Sequence, residues 1–177
     1  MAAKLVLSAA VAMALALVLV PVTGARADQA RDGRQATFDD RLLDSLVGHW
    51  NVSREIRGKQ ERNTLDVDWV LLHQFLELHM KDAAKPPQYE AIVLIGDDHE
   101  GQRYVIHWCD NFGGKFSLMG HGRRSGDSIE FVFEDPDSPF FNTFSRDPKT
   151  GTWTFVMESQ GKDGKRVFFA KDTLSKR

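Results

Sequence analysis

Residues able to do chemistry are concentrated in one stretch, YVIHWCDNFGGKFSLMGHG, running from Tyr104 to Gly122. It holds two of the six histidines, one of the four tryptophans, an aspartate and the only cysteine of the chain. Imidazole and thiolate could ligate a metal or a haem iron. Asp110 and Tyr104 could act as an acid–base pair. The same residues could instead form a barrel wall, with side chains alternating between inside and outside. The direction of each side chain decides among these, so the elements that carry them come next.

Short apolar–polar alternations recur along most of the chain, separated by turn signals such as RGKQ, LHQF, KPPQ, DDHEG, FGGK, RSGD, DPKTG and KDGK. Such spacing predicts roughly ten antiparallel strands in sequence order. The expected fold is therefore all-β, an up-and-down antiparallel barrel with a short N-terminal helix. Leu42, Leu43, Leu46 and Val47 recur at helical spacing, which predicts a helix over 38–47, stopped by Gly48.

Turn lengths set registers, and registers set faces. A two-residue turn at Gly58-Lys59 would pair Trp50 with Val67 and Val52 with Leu65. A two-residue turn at His73-Gln74 would pair Val67 with Met80, Trp69 with Leu78 and Leu71 with Leu76. Both turns place Trp50, Val52, Leu65, Val67, Trp69, Leu71, Leu76, Leu78 and Met80 inside. The outer face would then set Asp66 against Lys81 and Asp68 against His79. A turn at Ser125-Gly126 would place Phe131 opposite Gly120, Phe133 opposite Leu118, and His121 opposite Glu130. A four-residue turn at 148–151 pairs Phe144 with Phe155 and Asn142 with Met157. A turn at Asp163-Gly164 sets Ala170 against Met157, and it leaves Asp172 beside Phe155 on the inner face, where only a bulge would turn it away.

A three-residue hairpin after Asp110 points Tyr104, Ile106, Trp108 and Asp110 inward and Val105, His107 and Cys109 outward. His49, His79 and His121 then face out, while His73 and His99 sit in turns. No histidine is left inside as a ligand, and there is no H-E-x-x-H, C-x-x-C or Cys–His cluster, so neither a metal nor another cofactor is expected. Cys109 reads as a packed thiol, a dimer disulfide or a nucleophile, with no interior histidine to activate it. Asp110 could be an acid or base, or a cap on the following turn. Arg54, opposite Asn63, could clamp a carboxylate or phosphate, or reach solvent at the rim. Asn142 could orient a ligand or satisfy backbone.

The remaining bounds come from the ends and the composition. Lys4, the uncharged apolar run Leu5–Val20 and the Ala25-Arg26-Ala27 site predict a secretory signal peptide cut after Ala27. Residues 28–37 read as a flexible leader and 38–177 as the barrel domain. The chain has 23 Lys and Arg against 25 Asp and Glu, and losing Lys4 and Arg26 leaves a balance of about −4. With no basic stripe, nucleic acid is not an expected partner. The product should be periplasmic or secreted, with no membrane span after cleavage.

Gly48-His49-Trp50 resembles the G-x-W that opens the first strand of calycin-like (lipocalin-like) barrels. WVLLHQFLEL, YEAIVLIGDD, YVIHWCDNFGG, GDSIEF and the closing DGK…L are similar to an uncharacterised bacterial family of exported calycin-like barrels, a domain-of-unknown-function group. The resemblance covers nearly the whole chain after the signal. It implies a barrel with a tryptophan plug at Gly48 and Trp50, matches Trp108 and Asp110 to a W-x-D element, and implies no activity. The chain departs from that family's Gly-Gly at His73-Gln74.

The functional expectation is a barrel that binds a small apolar or amphipathic molecule, since an apolar interior with a few directed polar groups is the usual design of such a site. The candidate lining is Arg54, Trp69, Tyr104, Trp108, Asp110, Phe131, Asn142 and Phe155. One alternative is an isomerase or hydrolase using Asp110 and Tyr104. Another is a haem barrel using an inward His107. A barrel filled by its own aromatics would do none of these.

Overall fold

A computed structural model of the chain describes residues 37–134 and 138–177. The expected signal peptide, its cleavage site and all of the expected leader but Thr37 lie outside the described residues. Ten strands follow one short helix: β1 Gly48–Ile56, β2 Lys59–Val70, β3 Phe75–Asp82, β4 Glu90–Asp98, β5 Arg103–Asp110, β6 Leu118–Ser125, β7 Ser128–Phe133, β8 Phe140–Arg146, β9 Trp153–Gln160 and β10 Arg166–Lys176. Each pairs antiparallel with the next, and β10 returns to pair with β1, so the sheet closes into a barrel. This is the all-β, up-and-down architecture that the turn spacing predicts.

Helix α1 is shorter than the apolar spacing suggests, covering only Arg41–Asp44. Asp40 fixes its start, with Oδ1 accepting from the amides of Leu42 (2.8 Å) and Leu43 (3.0 Å). The Ser45 amide closes the other end on the Leu42 and Leu43 carbonyls. Phe38, Leu42, Leu43 and Leu46 are nonetheless all buried, so the segment plugs one end of the barrel as a compact turn of side chains. The Trp50 indole donates to the Leu46 carbonyl at 2.7 Å, and the Trp69 indole donates to Asp44 at 3.0 Å, tying the plug to β1 and β2. Gly48 starts β1 at φ 128°, a backbone that other residues rarely adopt.

Several registers differ from expectation by two residues, while the faces hold. Trp50 pairs with Leu65 because Arg57 and Gly58 form the β1–β2 turn, both with positive φ. That arrangement puts glycine second in the turn, as a twist-matched hairpin prefers. Arg54 therefore faces Glu61, not Asn63. β2 and β3 part at Val70 and Phe75, and Trp69 pairs with Leu76. The loop between them has four residues, and Leu71, Leu72 and His73 all take left-handed φ. The longer loop lets His73 stack on Trp69 at 4.1 Å and place Nδ1 3.1 Å from the Phe38 carbonyl oxygen. Leu71, expected inside, is 64% exposed as a result. Loops of two and four residues have the same parity, so the other inward residues of these strands stay inward.

The same shift recurs at β6–β7. The turn is Gly126-Asp127, so Gly122 faces Phe131, Gly120 faces Phe133, and His121 faces Val132 in place of Glu130. A Cβ on Gly122 would lie 2.5 Å from the Phe131 ring, so the glycine makes room for the aromatic. The Phe144–Phe155, Asn142–Met157 and Ala170–Met157 pairs stand as expected. Phe144 and Phe155 stack at 3.8 Å, and Phe131 meets Phe144 edge-on at 5.3 Å. With Trp50, Trp153 and the helix plug, these rings fill the half of the barrel next to α1.

Candidate functional site

The other half is hollow. A cavity of about 980 Å³ opens at the end opposite α1, where β1, β3, β5, β7 and β9 finish. Its walls are mostly apolar: Ile56, Trp108, Phe133, Phe140, Met157 and Phe169, with Phe112, Phe116 and Leu118 around the mouth. Phe140 and Phe169 meet edge-on at 5.4 Å, as do Phe112 and Phe116 at 6.5 Å.

Arg54 is the deeply buried charged group of the cavity lining, which nearer to solvent also carries Arg57, Glu61, Arg62, Asp82 and Asp110. Its Nε and one terminal nitrogen each donate to Asp172 at 2.7 Å, a two-point bond between residues paired across the closing β1–β10 ladder. The same terminal nitrogen lies 3.0 Å from Met80 Sδ. Arg54 is 5% exposed and Asp172 fully buried. Burial works to lower the guanidinium, and the bonds and charge of Asp172 more than offset it, holding it above its ordinary range. Asp172 thus keeps the inward position that its register dictates. β10 does contain a bulge, between Phe168 and Ala170, but it lies upstream and leaves Asp172 opposite Phe155.

Tyr89 joins this cluster from the loop before β4. Asp82 shapes that loop by accepting from the amides of Ala84, Gln88 and Tyr89 at 2.9–3.1 Å. The Arg54 guanidinium sits 5.3 Å from the Tyr89 ring centre, a cation–π contact. Burial pushes the Tyr89 phenol up, and Arg54 offsets only part of that. Asp110 also borders the cavity, and its Oδ1 accepts from the Phe112 amide at 3.0 Å. It therefore caps the turn that carries the aromatic mouth. That connection runs over 111–117 with a 3₁₀ turn at Gly114–Phe116, longer than the expected three-residue hairpin but equal in parity, so Trp108 still faces Leu118.

Of the eight residues expected at the site, Arg54, Trp108, Asp110 and Asn142 line the cavity. The other four lie toward the α1 end, where Tyr104 borders a separate cleft of about 610 Å³ with Asp40 and Arg124. Trp69 packs edge-on against Phe38 at 5.4 Å. Phe131 and Phe155 are core rings with no more than 1% exposure. The Tyr104 hydroxyl donates to Asp40 Oδ2 at 2.5 Å, beside the plug, and Arg124 approaches the other oxygen at 3.4 Å. Asp110 and Tyr104 share a face but stand six residues apart on β5, roughly 20 Å at the rise of an extended chain. They do not form an acid–base pair.

His107 lies on the outer face of β5 between Leu94 and Met119, so it cannot serve as an inward haem ligand. His79 and Lys81 hold Glu90 outside at 2.6 and 3.1 Å, and His49 holds Asp66 at 2.7 Å. Cys109 is exposed, with Sγ 3.1 Å from Ser117 Oγ, and is not a packed thiol. Among the described residues no cluster of three or more His, Cys, Asp or Glu side chains is placed to hold a metal ion. Sequence reasoning missed Tyr89, Phe140, Phe169 and the partner role of Asp172. The Asp172 signal was available, because Arg54 and Asp172 were both assigned inward at the two strands that a closed barrel must join.

The class defined by fold and site is a closed ten-stranded antiparallel barrel, packed at one end and hollow at the other. No family model matches the chain. It is similar to dimethylaniline monooxygenase (N-oxide-forming) 4 of Mus musculus, at 31% identity over 118 residues, or 66% of this chain. The matched stretch spans 19% of that relative's length.

Two predictions follow from the geometry. Asp172→Ala should lose about 3–5 kcal/mol in urea unfolding, the usual result of stranding a buried charge. Replacing both partners with apolar residues (Arg54→Met with Asp172→Leu) should recover most of that loss. The second concerns alkaline pH. Burial and the bond to Asp40 push Tyr104 up to about 12, and Tyr89 is raised too. These are the only two tyrosines of the chain. Absorbance at 295 nm should show no native phenol ionising at the ordinary midpoint of roughly 10. A raised folded pKa means that the folded state holds its proton longer. Stability should be flat below the ordinary tyrosine pKa and fall as pH climbs toward the folded value.

Proposed function

We propose that this chain is an exported barrel that binds a small apolar or amphipathic molecule in the cavity between Arg54 and the aromatic mouth. The observation that carries this reading is the size and lining of the space. About 980 Å³ with a predominantly aromatic and aliphatic wall, buried Arg54 and Asn142, and charged side chains such as Arg57, Glu61 and Arg62 toward solvent, fits the range of small-molecule sites. The stacked Phe144 and Phe155 rings, with the buried plug residues Leu42, Leu43 and Leu46, give the cavity a packed floor. The separation of Asp110 from Tyr104 argues for binding over acid–base catalysis. Membership of the calycin-like group is part of the same reading, supported by the G-x-W at the head of β1 and by the Trp50 contact with the plug.

The export reading is supported by the apolar run Leu5–Val20 and the small-residue site at 25–27. Among the described residues no helix is long and apolar enough to cross a membrane. Expression of the full chain in a bacterium, followed by mass analysis of the periplasmic and medium fractions, should recover a protein beginning at Asp28. Uncleaved chain confined to the cytoplasm would count against export.

Trp108 is the tryptophan on the cavity wall, so it reports directly on occupancy. Titration with a panel of fatty and aromatic compounds should quench tryptophan emission saturably for at least one member. In Trp108→Phe that quenching should vanish while the thermal midpoint stays within a few degrees. A flat response across the panel would count against a binding barrel.

A further inference from the structure

The open end of the barrel differs in surface from the closed end. Among the described residues, most of the exposed large apolar side chains gather around the cavity mouth. Phe112, Phe116 and Leu118 border the cavity at 67%, 52% and 42% exposure, and Met119 follows them on β6. Val167 and Phe168 precede Phe169 of the cavity wall, and Ile92 pairs with Cys109, between Trp108 and Asp110. Leu71 and Leu72 are the exceptions, in the β2–β3 loop whose His73 carbonyl accepts from the Phe38 amide at the other end. Single exposed apolar residues are ordinary, whereas a group of them around one opening marks a contact surface.

Two loops lead that surface, and they are joined. Residues 83–89 connect β3 to β4, and 111–117 connect β5 to β6. The Asn111 side chain donates to the Gln88 carbonyl at 2.8 Å and accepts from the Glu90 amide at 3.3 Å, and the Tyr89 and Phe112 rings meet at 5.9 Å. The charged residues of the two loops are Lys85 and Lys115, both exposed. Neither has an ion-pair partner among the described residues, and Lys115 Nζ lies 5.7 Å from the Phe116 ring centre. The flanking carboxylates are engaged: Asp82 by three loop amides, Asp110 by the Phe112 amide, and Glu90 by His79 and Lys81. Farther round the mouth the charge changes. The β1–β2 hairpin mixes Arg57, Lys59 and Arg62 with Glu55 and Glu61, and the β7–β8 connection is acidic in sequence, with Glu134, Asp135 and Asp137.

We propose that these two loops seat the open end of the barrel on an anionic phospholipid bilayer, with Phe112 and Phe116 in the headgroup boundary and Lys85 and Lys115 against lipid phosphates. Apolar rings with basic residues beside them suit the interface of an anionic membrane, where the rings bury apolar surface and each cation meets a negative surface potential. The acidic β7–β8 connection directs an anionic surface toward the lysine side of the mouth. A protein partner fits less well, because lysine is depleted in protein–protein interfaces and two rings projecting beside an open cavity need no matching relief from a fluid surface. The seat goes beyond the small-molecule reading above and does not depend on it. It would place the cavity mouth where an amphiphile passes between bilayer and barrel without crossing water.

The test is flotation with vesicles of phosphatidylcholine alone and of phosphatidylcholine with roughly one-third phosphatidylglycerol. The chain used begins at Asp28, so it holds the whole closed barrel and lacks the apolar run Leu5–Val20. It should bind the mixed vesicles about tenfold or more tightly than phosphatidylcholine alone, at roughly fivefold for each lysine. High salt should erase that difference. Phe112→Ser with Phe116→Ser should weaken binding to mixed vesicles by about tenfold or more. Lys85→Gln with Lys115→Gln should remove the preference for the anionic lipid. Leu71→Ser with Leu72→Ser, at the far end, should bind as the native chain does. All of these side chains are exposed, so thermal midpoints should stay within a few degrees. No flotation with mixed vesicles, or flotation that both loop variants retain in full, would overturn the seat while leaving a binding barrel intact. Self-association that the paired phenylalanine substitutions abolish, with no vesicle binding, would overturn it in favour of a second copy of the chain. Vesicle binding as expected, with a flat Trp108 response to the compound panel, would keep the seat and remove the small-molecule reading.

Discussion

The buried pair Arg54–Asp172 is the constraint around which the barrel is arranged. It joins the first strand to the last, at the one ladder that no hairpin turn creates. Every other neighbouring pair of strands is linked by a short connection, which makes their pairing local. The β1–β10 ladder must bring together residues 118 positions apart. Two parallel hydrogen bonds between a guanidinium and a carboxylate fix both the register and the orientation of that closure. An apolar pair could hold the seam as tightly, but it would tolerate sliding by two residues without an unpaired charge to penalise it.

The pair also sits at the boundary between the two halves of the interior. Toward α1 the space is filled by Phe131, Phe144, Phe155, Trp153 and the helix plug, with Gly122 opposite Phe131. Toward the other end the inward positions carry Asn142, Met157, Phe133 and Trp108, which border the cavity. Fullness and hollowness are therefore not alternatives for this barrel. A graded interior gives it a stable foundation and a site in one closed sheet.

Most of the fold was legible because it rests on parity. Errors of two residues in three hairpins left the inner set nearly unchanged, since an even slip returns each side chain to its own face. The exception was Leu71, which a longer loop carries out of the sheet. The site was half legible. Parity identifies which residues point inward, but not how far along the axis each one lies, so Trp69, Tyr104, Phe131 and Phe155 were grouped with residues from the opposite end. Tyr89 escaped because it enters from a loop, where no alternation operates, and its position depends on three amides bonded to Asp82. Asp172 was seen to be awkwardly placed, and its explanation required joining the chain's first and last strands.

Closure of the sheet has a consequence for how this protein meets others. Every described strand has a hydrogen-bonded neighbour on both sides, so among the described residues no strand runs its whole length as a free edge. Among the described residues, peptides that recruit themselves by adding a strand find no full-length edge to extend, and neither do other copies of the chain seeking edge-to-edge growth. Recognition is left to side chains and loops, above all to the Phe112–Leu118 segment, whose exposed rings stand where the barrel opens.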